Sequence, residues 1–296
     1  MILITGATGT IGRELVLDLS GRRSTFKVMA RSTEAVKAFE SKGIKAFQGD
    51  FERPETFAGA LAGIESVFLL TTPRPDGPAL ERAFLAACKA QGVQHIVRIS
   101  AAGAHPGASS VLLRNHGRCE SQLEESGLDW THLRPTVFMQ NLVPFMGPSI
   151  ARESTLYAPA GEARMPWIDI RDIAAVAGVA LTTEGHEGLV YDLTGPESLT
   201  YGEIAARLSE QMGRQITYVN VPEGAARLSM VGSGMSPWLA EGLISLYQLF
   251  KANGPTAQAL ETVERLTGRA PRTLAAYLKE NEAAFRSVKA AEVARR

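Results

Sequence analysis

Gly6-Ala7-Thr8-Gly9-Thr10-Ile11-Gly12 directly follows the apolar run Ile2-Leu3-Ile4 and leads into a helix-like stretch, Arg13 to Leu19. Glycines in such a turn let the backbone approach an anion closely, and the helix behind them presents free N–H groups to the negative charge. Strand, glycine turn and helix in that order predict a pyrophosphate cradle built from Gly6, Thr8, Gly9, Thr10, Ile11 and Gly12. Further along, Ser100 closes a strand-like run, and His116 and Glu120 stand four residues apart on one helical face. An imidazole titrates near 6.5, and a neighbouring carboxylate raises that value, so His116 is a candidate proton donor near neutrality. A solvated surface pair is the competing reading. His95, His105, His132 and His186 show neither this pairing nor metal-ligand spacing, so no metal site is expected.

The elements that must position these groups alternate through the first half. Strands are expected at Phe26–Ala30, Ile44–Gln48, Ser66–Leu70, His95–Ile99 and Trp130–Leu133, with helices at Thr33–Lys42, Pro54–Leu61, Ala79–Gln91 and Arg114–Ser126. Short continuous apolar strands between amphipathic helices predict an α/β fold: a Rossmann-type, doubly wound parallel sheet. After about Pro135 the rhythm breaks. Pro144, Pro148, Pro159 and Pro166 suggest a long irregular region of the kind that walls a substrate. Ile170–Thr182 reads as a helix returning to the first domain. The strand Val190–Thr194, the helix Tyr201–Met212, the strand Ile216–Val219 and helices ending near Phe285 suggest a smaller C-terminal α/β lobe. The expected division is 1–155 with 167–183 for the sheet domain, 156–166 and 184–286 for the smaller lobe, and a fraying tail over 287–296.

Composition narrows the function classes. The 296 residues carry 31 Lys+Arg against 31 Asp+Glu, so no global field draws nucleic acid or an anionic membrane. Cys88 and Cys119 lack metal or redox spacing, which suits a reducing compartment. The longest apolar run, Ile173 to Leu181, is too short to span a bilayer, and no signal peptide is expected ahead of the first strand. A cytoplasmic enzyme with a small-molecule substrate, monomeric or homodimeric, is expected.

The motifs together resemble the NmrA-like family of atypical short-chain dehydrogenases, nearest its triphenylmethane reductase and type 2 NAD(P)H:quinone oxidoreductase branch. The resemblance rests on the GATGTIG turn, whose GxxGxxG spacing is the short-chain dehydrogenase variant, and on GDF at 49–51. It continues through HGRCE at 116–120, SGLDWTHLRPTVFMQN at 126–141, WIDIRDIA at 167–174 and YDLTGPESLTYGEIA at 191–205. It implies a nicotinamide cofactor across the carboxyl edge of the sheet, Asp50 and Phe51 against the adenine, and Thr71, Thr72 and Pro73 beneath the cofactor. Pro135 and Phe138 follow as further cofactor residues. For Asp50, capping the helix at Pro54 is an equal alternative.

Arg31 ends the second strand where an NAD-preferring chain carries Asp or Glu, which suits the 2′-phosphate of NADPH. Ordinary members of the superfamily use a Tyr-x-x-x-Lys pair as the acid, and those positions here hold His116 and Glu120. Acceptors whose conjugated product spreads the incoming charge, such as quinones, enones or cationic dyes, need no strong acid. Phe138, Met139, Asn141, Tyr157, Trp167 and Tyr247 are candidate walls for such a ring. A non-catalytic redox sensor of the NmrA type, or a reductase or epimerase of aromatic or polyketide biosynthesis, are the alternatives that the resemblance leaves open.

Overall fold

The computed structural model describes residues 1–286; the tail expected over 287–296 lies outside the described residues. In chain order the first stretch runs β1 (Ile2–Ile4), α1 (Thr10–Gly21), β2 (Phe26–Ala30), α2 (Thr33–Glu40) and β3 (Ala46–Gln48). A 3-10 turn, Pro54–Thr56, leads into α3 (Phe57–Leu61), then β4 (Ser66–Leu69), α4 (Gly77–Ala90), β5 (His95–Ile99), α5 (Val111–Glu124) and β6 (Asp129–Pro135). Next come α6 (Leu142–Glu153), β7 (Thr155–Ala158), β8 (Met165–Pro166), α7 (Ile170–Thr182) and β9 (Leu189–Leu193). β10 (Ser198–Leu199), α8 (Tyr201–Met212), β11 (Thr217–Asn220), α9 (Glu223–Gly232) and α10 (Pro237–Lys251) follow. The described chain ends with α11 (Thr262–Thr267), α12 (Leu274–Glu280) and α13 (Glu282–Phe285). None of these helices is long and apolar enough to cross a membrane.

Two compact units emerge. The first comprises Met1–Pro135, Ile170–Leu193 and Arg265–Gly268, and the second Thr136–Asp169, Thr194–Glu264 and the chain from Arg269. The first holds a seven-stranded sheet in the order β3-β2-β1-β4-β5-β6-β9, every neighbouring pair parallel. Strand order reverses between β1 and β4, so the crossovers fall on opposite faces and a crevice opens where they diverge. This is a Rossmann-type, doubly wound α/β sheet. On one face Phe57, Leu61, Phe84, Leu85, Cys88 and Leu123 pack onto Leu3, Val67, Leu69 and Ile96. Elsewhere in the unit α7 packs against α1. Its Ala174, Ala177 and Gly178 permit a close crossing: a Cβ on Gly178 would stand 2.0 Å from Asp18 Oδ2.

The second unit carries the β8–β10 and β7–β11 pairs and a core that includes Met139, Leu142, Ile150, Leu156, Trp167, Tyr201, Ile204 and Phe250. Three sequence expectations change here. The stretch 136–155 clusters with the second unit rather than the sheet domain. Conversely, the strand near Val190 is β9, which pairs with β6 and completes the large sheet instead of opening the small lobe. The region after Pro135 is also less irregular than its prolines suggest, because Leu142–Glu153 is a helix with Pro148 inside it. Pro144 falls in the first turn, where a missing N–H costs nothing. Pro148 sacrifices one backbone bond, and the burial of Leu142 and Ile150 offsets it.

Gly195 fixes the path out of β9. A Cβ there would lie 1.8 Å from the Trp167 carbonyl oxygen, a backbone atom that cannot step aside. Gly195→Ala is therefore expected to lower stability by about 1–3 kcal/mol through overpacking. Gly224→Ala, in exposed helix α9 with nothing within 4 Å of the added Cβ, should instead raise it by about 0.5–1 kcal/mol. Opposite shifts in melting temperature are the check.

Candidate functional site

Thr5 anchors the glycine turn. Its hydroxyl bonds the Phe68 carbonyl at 3.0 Å and accepts from the Leu70 amide at 2.9 Å, tying the end of β1 to the end of β4. Gly6 then adopts φ +62°, a left-handed conformation that glycine takes without strain. The Gly9 amide closes the turn onto the Gly6 carbonyl at 2.9 Å. Gly9 caps α1 with no side chain, and the first turn of that helix contains no acidic residue. The N–H groups of Thr10, Ile11 and Gly12 precede the first intrahelical bond, donated by Arg13 to Gly9, and so point free beyond the helix start. Thr8, Gly9 and Thr10 are exposed, whereas Ile11 and Gly12 are buried. Glycine is required at 12: a Cβ would sit 2.2 Å from the Gly6 carbonyl oxygen. A bare, uncapped, acid-free helix start held this tightly fits the pyrophosphate of a dinucleotide.

Arg31 stands exposed beyond β2, and its guanidinium has no ion-pair partner among the described residues. Its carbonyl accepts from Gln48 Nε2 at 3.0 Å, which pins the segment to the end of β3. Asp50 Oδ1 accepts from the Glu52 amide at 3.0 Å, so this carboxylate caps the turn that precedes Pro54. The Phe51 ring is half-buried and leans on Phe84 at 4.9 Å between centroids. Past β4, Thr71 donates its hydroxyl to Glu81 Oε1 at 2.6 Å, and Thr72 and Pro73 are exposed.

Beneath this edge lies a polar cluster. Arg98 in β5 and Glu81 in α4, each 2% exposed, pair at 2.7 and 3.1 Å. Burial opposes ionisation of Glu81, yet the Arg98 charge prevails and holds the carboxyl below its usual range. Glu120 in α5 is likewise buried, but it is gripped by Arg134 at 2.9 and 2.6 Å and stays ionised. Ser100 is 3% exposed, and its hydroxyl has no hydrogen-bond partner of good geometry among the described residues.

His116 departs from the sequence expectation. Glu120 does not raise it into the neutral range, because that carboxylate is spent on Arg134. Burial first, then the Arg98 charge, push the imidazole down to about 4, outweighing the opposite pull of Glu81 and Glu120. At neutral pH the ring is uncharged. The solvated-pair reading fails too, since Glu120 is 3% exposed. Glu81, Arg98 and Arg134 were missed at the sequence level. A signal for Arg98 existed, because an arginine inside the apolar strand His95–Ile99 demands a buried counter-charge.

Pro135, at the end of β6, is buried in the first unit. The candidate wall residues all belong to the second unit. Phe138 is half-buried, and its backbone bridges to Ile168. Asn141 is also half-buried, at the end of a 3-10 turn. Tyr157 is 40% exposed and donates to Glu153 at 2.9 Å. Trp167 and Met139, at 2% and 1% exposure, are core residues rather than open walls. Trp167 stands edge-on to Tyr201, whose hydroxyl meets that of Tyr247 at 3.1 Å. Among the described residues no group of three or more His, Cys, Asp and Glu could hold a metal ion.

Two histidines, the half-buried His116 in α5 and the fully buried His132 in β6, impose a pH dependence on stability. Burial pushes both His116 and His132 down to about 4. In the unfolded chain each binds a proton near 6.5, so between these values the unfolded state holds more protons. The stability they confer is complete above pH 6.5 and is lost as pH falls towards 4. Melting temperature is expected to drop steadily between pH 6.5 and 4.5, and less steeply in His116→Gln; a flat profile across that window would contradict the neutral, buried assignment.

Comparison with known proteins agrees with this geometry. Residues 6–184 match the family described as NAD(P)H-binding. The chain is 39% identical over 285 residues to an NAD(P)H azoreductase of Xenophilus azovorans, covering 96% of this chain and 99% of that one. It is 30% identical over 283 residues to quinone oxidoreductase 2 of Escherichia coli strain K12, covering 93% and 96%. The solved structure of an NADPH-dependent quinone oxidoreductase from Escherichia coli, complexed with NADPH, superposes with a TM-score of 0.87 at 27% identity, over 95% of this chain and all of that one. The chain therefore belongs to the NAD(P)H-binding family.

Proposed function

We infer that the protein is an NADPH-dependent reductase delivering hydride to a conjugated or aromatic acceptor such as a quinone, an enone or a dye. The observation that carries this reading is the absence of an acid at the two helix positions where ordinary short-chain dehydrogenases keep one. His116 is neutral at physiological pH and Glu120 is ionised and bound to Arg134, so neither gives up a proton readily. Reducing an isolated ketone creates a localised alkoxide and calls for a positioned acid. A quinone or extended dye disperses the incoming charge over its own ring system, and water completes protonation of a phenol whose pKa is about 10. The names of the relatives, an azoreductase and a quinone oxidoreductase, point the same way.

When bound, the nicotinamide supplies the hydride. This chain's residues do the rest by positioning. The free amides of Thr10, Ile11 and Gly12 hold the pyrophosphate, with Gly9 and Gly12 giving it close access. Asp50 retains an open Oδ2 for the adenine edge, and Thr71 to Pro73 form a floor kept in place by Glu81. Arg31 receives the 2′-phosphate. Phe138, Asn141, Tyr157 and Tyr247 are the side chains we assign to ring contact, through which rate enhancement arises from holding the acceptor in reach.

Steady NADPH oxidation with a panel of quinones and azo or cationic dyes tests the reading. Tight NADPH binding without turnover on any of them would favour the sensor role instead. Gly9→Val is expected to abolish NADPH binding in a folded protein, since its Cβ would crowd the Gly6 carbonyl at 3.2 Å and block the approach of phosphate. Arg31 should give a charge-assisted contribution of about 1.5–3 kcal/mol. That corresponds to about ten- to a hundredfold preference for NADPH over NADH in kcat/KM. Arg31→Asp should reverse the preference by repelling the phosphate and offering the ribose hydroxyl an acceptor. Equal kcat/KM for the two cofactors in the unaltered protein would remove Arg31 from the site.

A further inference from the structure

The two ring nitrogens of the half-buried His116 differ in their surroundings. Nδ1 is buried with no hydrogen-bond partner, whereas Nε2 is not among the sealed orphans and remains accessible. The surroundings of Nδ1 decide which nitrogen carries the single proton of the neutral ring. A proton on Nδ1 needs an acceptor, and the buried carboxylates that influence this ring are already occupied. Glu81 uses Oε1 for Thr71 and Arg98 and Oε2 for Arg98. Glu120 gives Oε1 and Oε2 to Arg134. The same cluster contains an unpartnered donor instead: Arg98 Nη1, buried and without any acceptor among the described residues. An acceptor lone pair on Nδ1 complements that N–H and the guanidinium charge, whereas an Nδ1 proton opposes both.

We propose that the buried Arg98–Glu81 pair is a positioning device that locks His116 in the Nε2–H tautomer, so that a neutral N–H points outward as a fixed hydrogen-bond donor to the bound acceptor or cofactor. Arg98 supplies the donor and the charge that keep Nδ1 unprotonated, through one buried water, since neither Nη1 nor Nδ1 has a direct partner among the described residues. Glu81 holds Arg98 in place and at the same time braces Thr71. A neutral donor polarises an acceptor oxygen or nitrogen without transferring its proton, so the device complements an acid-free site rather than replacing the missing tyrosine. The functional part of this inference rests on the reductase reading; the tautomer itself does not.

The test is nitrogen-15 NMR of the histidine-labelled full chain at pH 7, with the His116 resonances assigned by their loss in His116→Gln. The expected spectrum shows one pyridine-type nitrogen at Nδ1 and one pyrrole-type at Nε2. A protonated Nδ1, or an imidazolium, overturns the proposal. In the apolar double variant Glu81→Met/Arg98→Met both nitrogens should move towards the averaged shifts of a tautomer mixture, and an unchanged tautomer would free His116 from Arg98. Should that variant not fold, Arg98→Lys, which keeps the charge but changes the donor geometry, serves instead: partial tautomer mixing is expected, and none would count against the lock. In turnover, His116→Gln, with an amide N–H near the Nε2 position, should retain several-fold more kcat than His116→Phe at similar KM for NADPH. Equal loss in both removes the donor role. Absence of any turnover in the unaltered protein, with the expected tautomer present, would fault the reductase reading and leave the lock standing.

Discussion

An arginine placed inside a central parallel strand constrains much of the first unit. Arg98 cannot reach water from β5, and leaving it uncompensated there would cost about 3–5 kcal/mol. Glu81 answers it from α4, and in doing so Glu81 also takes the hydroxyl of Thr71 at the end of β4. One carboxylate thus sets the depth of a helix, the path of a strand-end loop and the electrostatics around α5. The same charge depresses His116 and leaves Glu120 to Arg134. An apolar pair of equal volume would fill the space as well, so the ion pair is better understood through what it orders than through what it stabilises.

The glycine turn works by the opposite means, through atoms that are missing. Gly12 lets α1 begin against the Gly6 carbonyl, and Thr5 fastens the turn to β4 by hydrogen bonds that any substitution of its hydroxyl would lose. Rigid backbone and unoccupied amides together make a cradle that needs no charged side chain. On the proposed reading, cofactor recognition is divided: the turn takes a feature common to all dinucleotides, and Arg31 at the end of β2 takes the one group that tells two of them apart.

Much of this was legible in the sequence because it is local. The strands Phe26–Ala30 and His95–Ile99 and the helices Ile170–Thr182 and Tyr201–Met212 coincide with the expected segments, since apolar period and capping residues such as Thr200 with Glu203 specify them within a few residues. The helix over Leu142–Glu153 was hidden because its two prolines dominate the local pattern while its support comes from distant burial. The assignment of β9 failed for a related reason: a short strand carries no mark of which sheet it joins. The charge state of His116 was misread because i,i+4 spacing shows who shares a face but not who has already been claimed. Arg134 lies fourteen residues beyond Glu120 and on another element.

The first unit is written in the chain discontinuously: residues 136–169 interrupt it, and it is completed by α7, β9 and a final short piece near residue 265. Helix α1, which follows the glycine turn, rests on α7, some 150 residues later, and β9 closes the sheet beside β6. During synthesis the turn emerges first but lacks its supporting helix until about two-thirds of the chain has been made. The nascent sheet meanwhile exposes the open edge of β6, a template for wrong pairing. Such long-range closure slows folding and makes early-emerging segments dependent on late ones. A dinucleotide-binding half excised at residue 135 would accordingly keep every glycine of its turn and yet be without the helix and the strand that finish it.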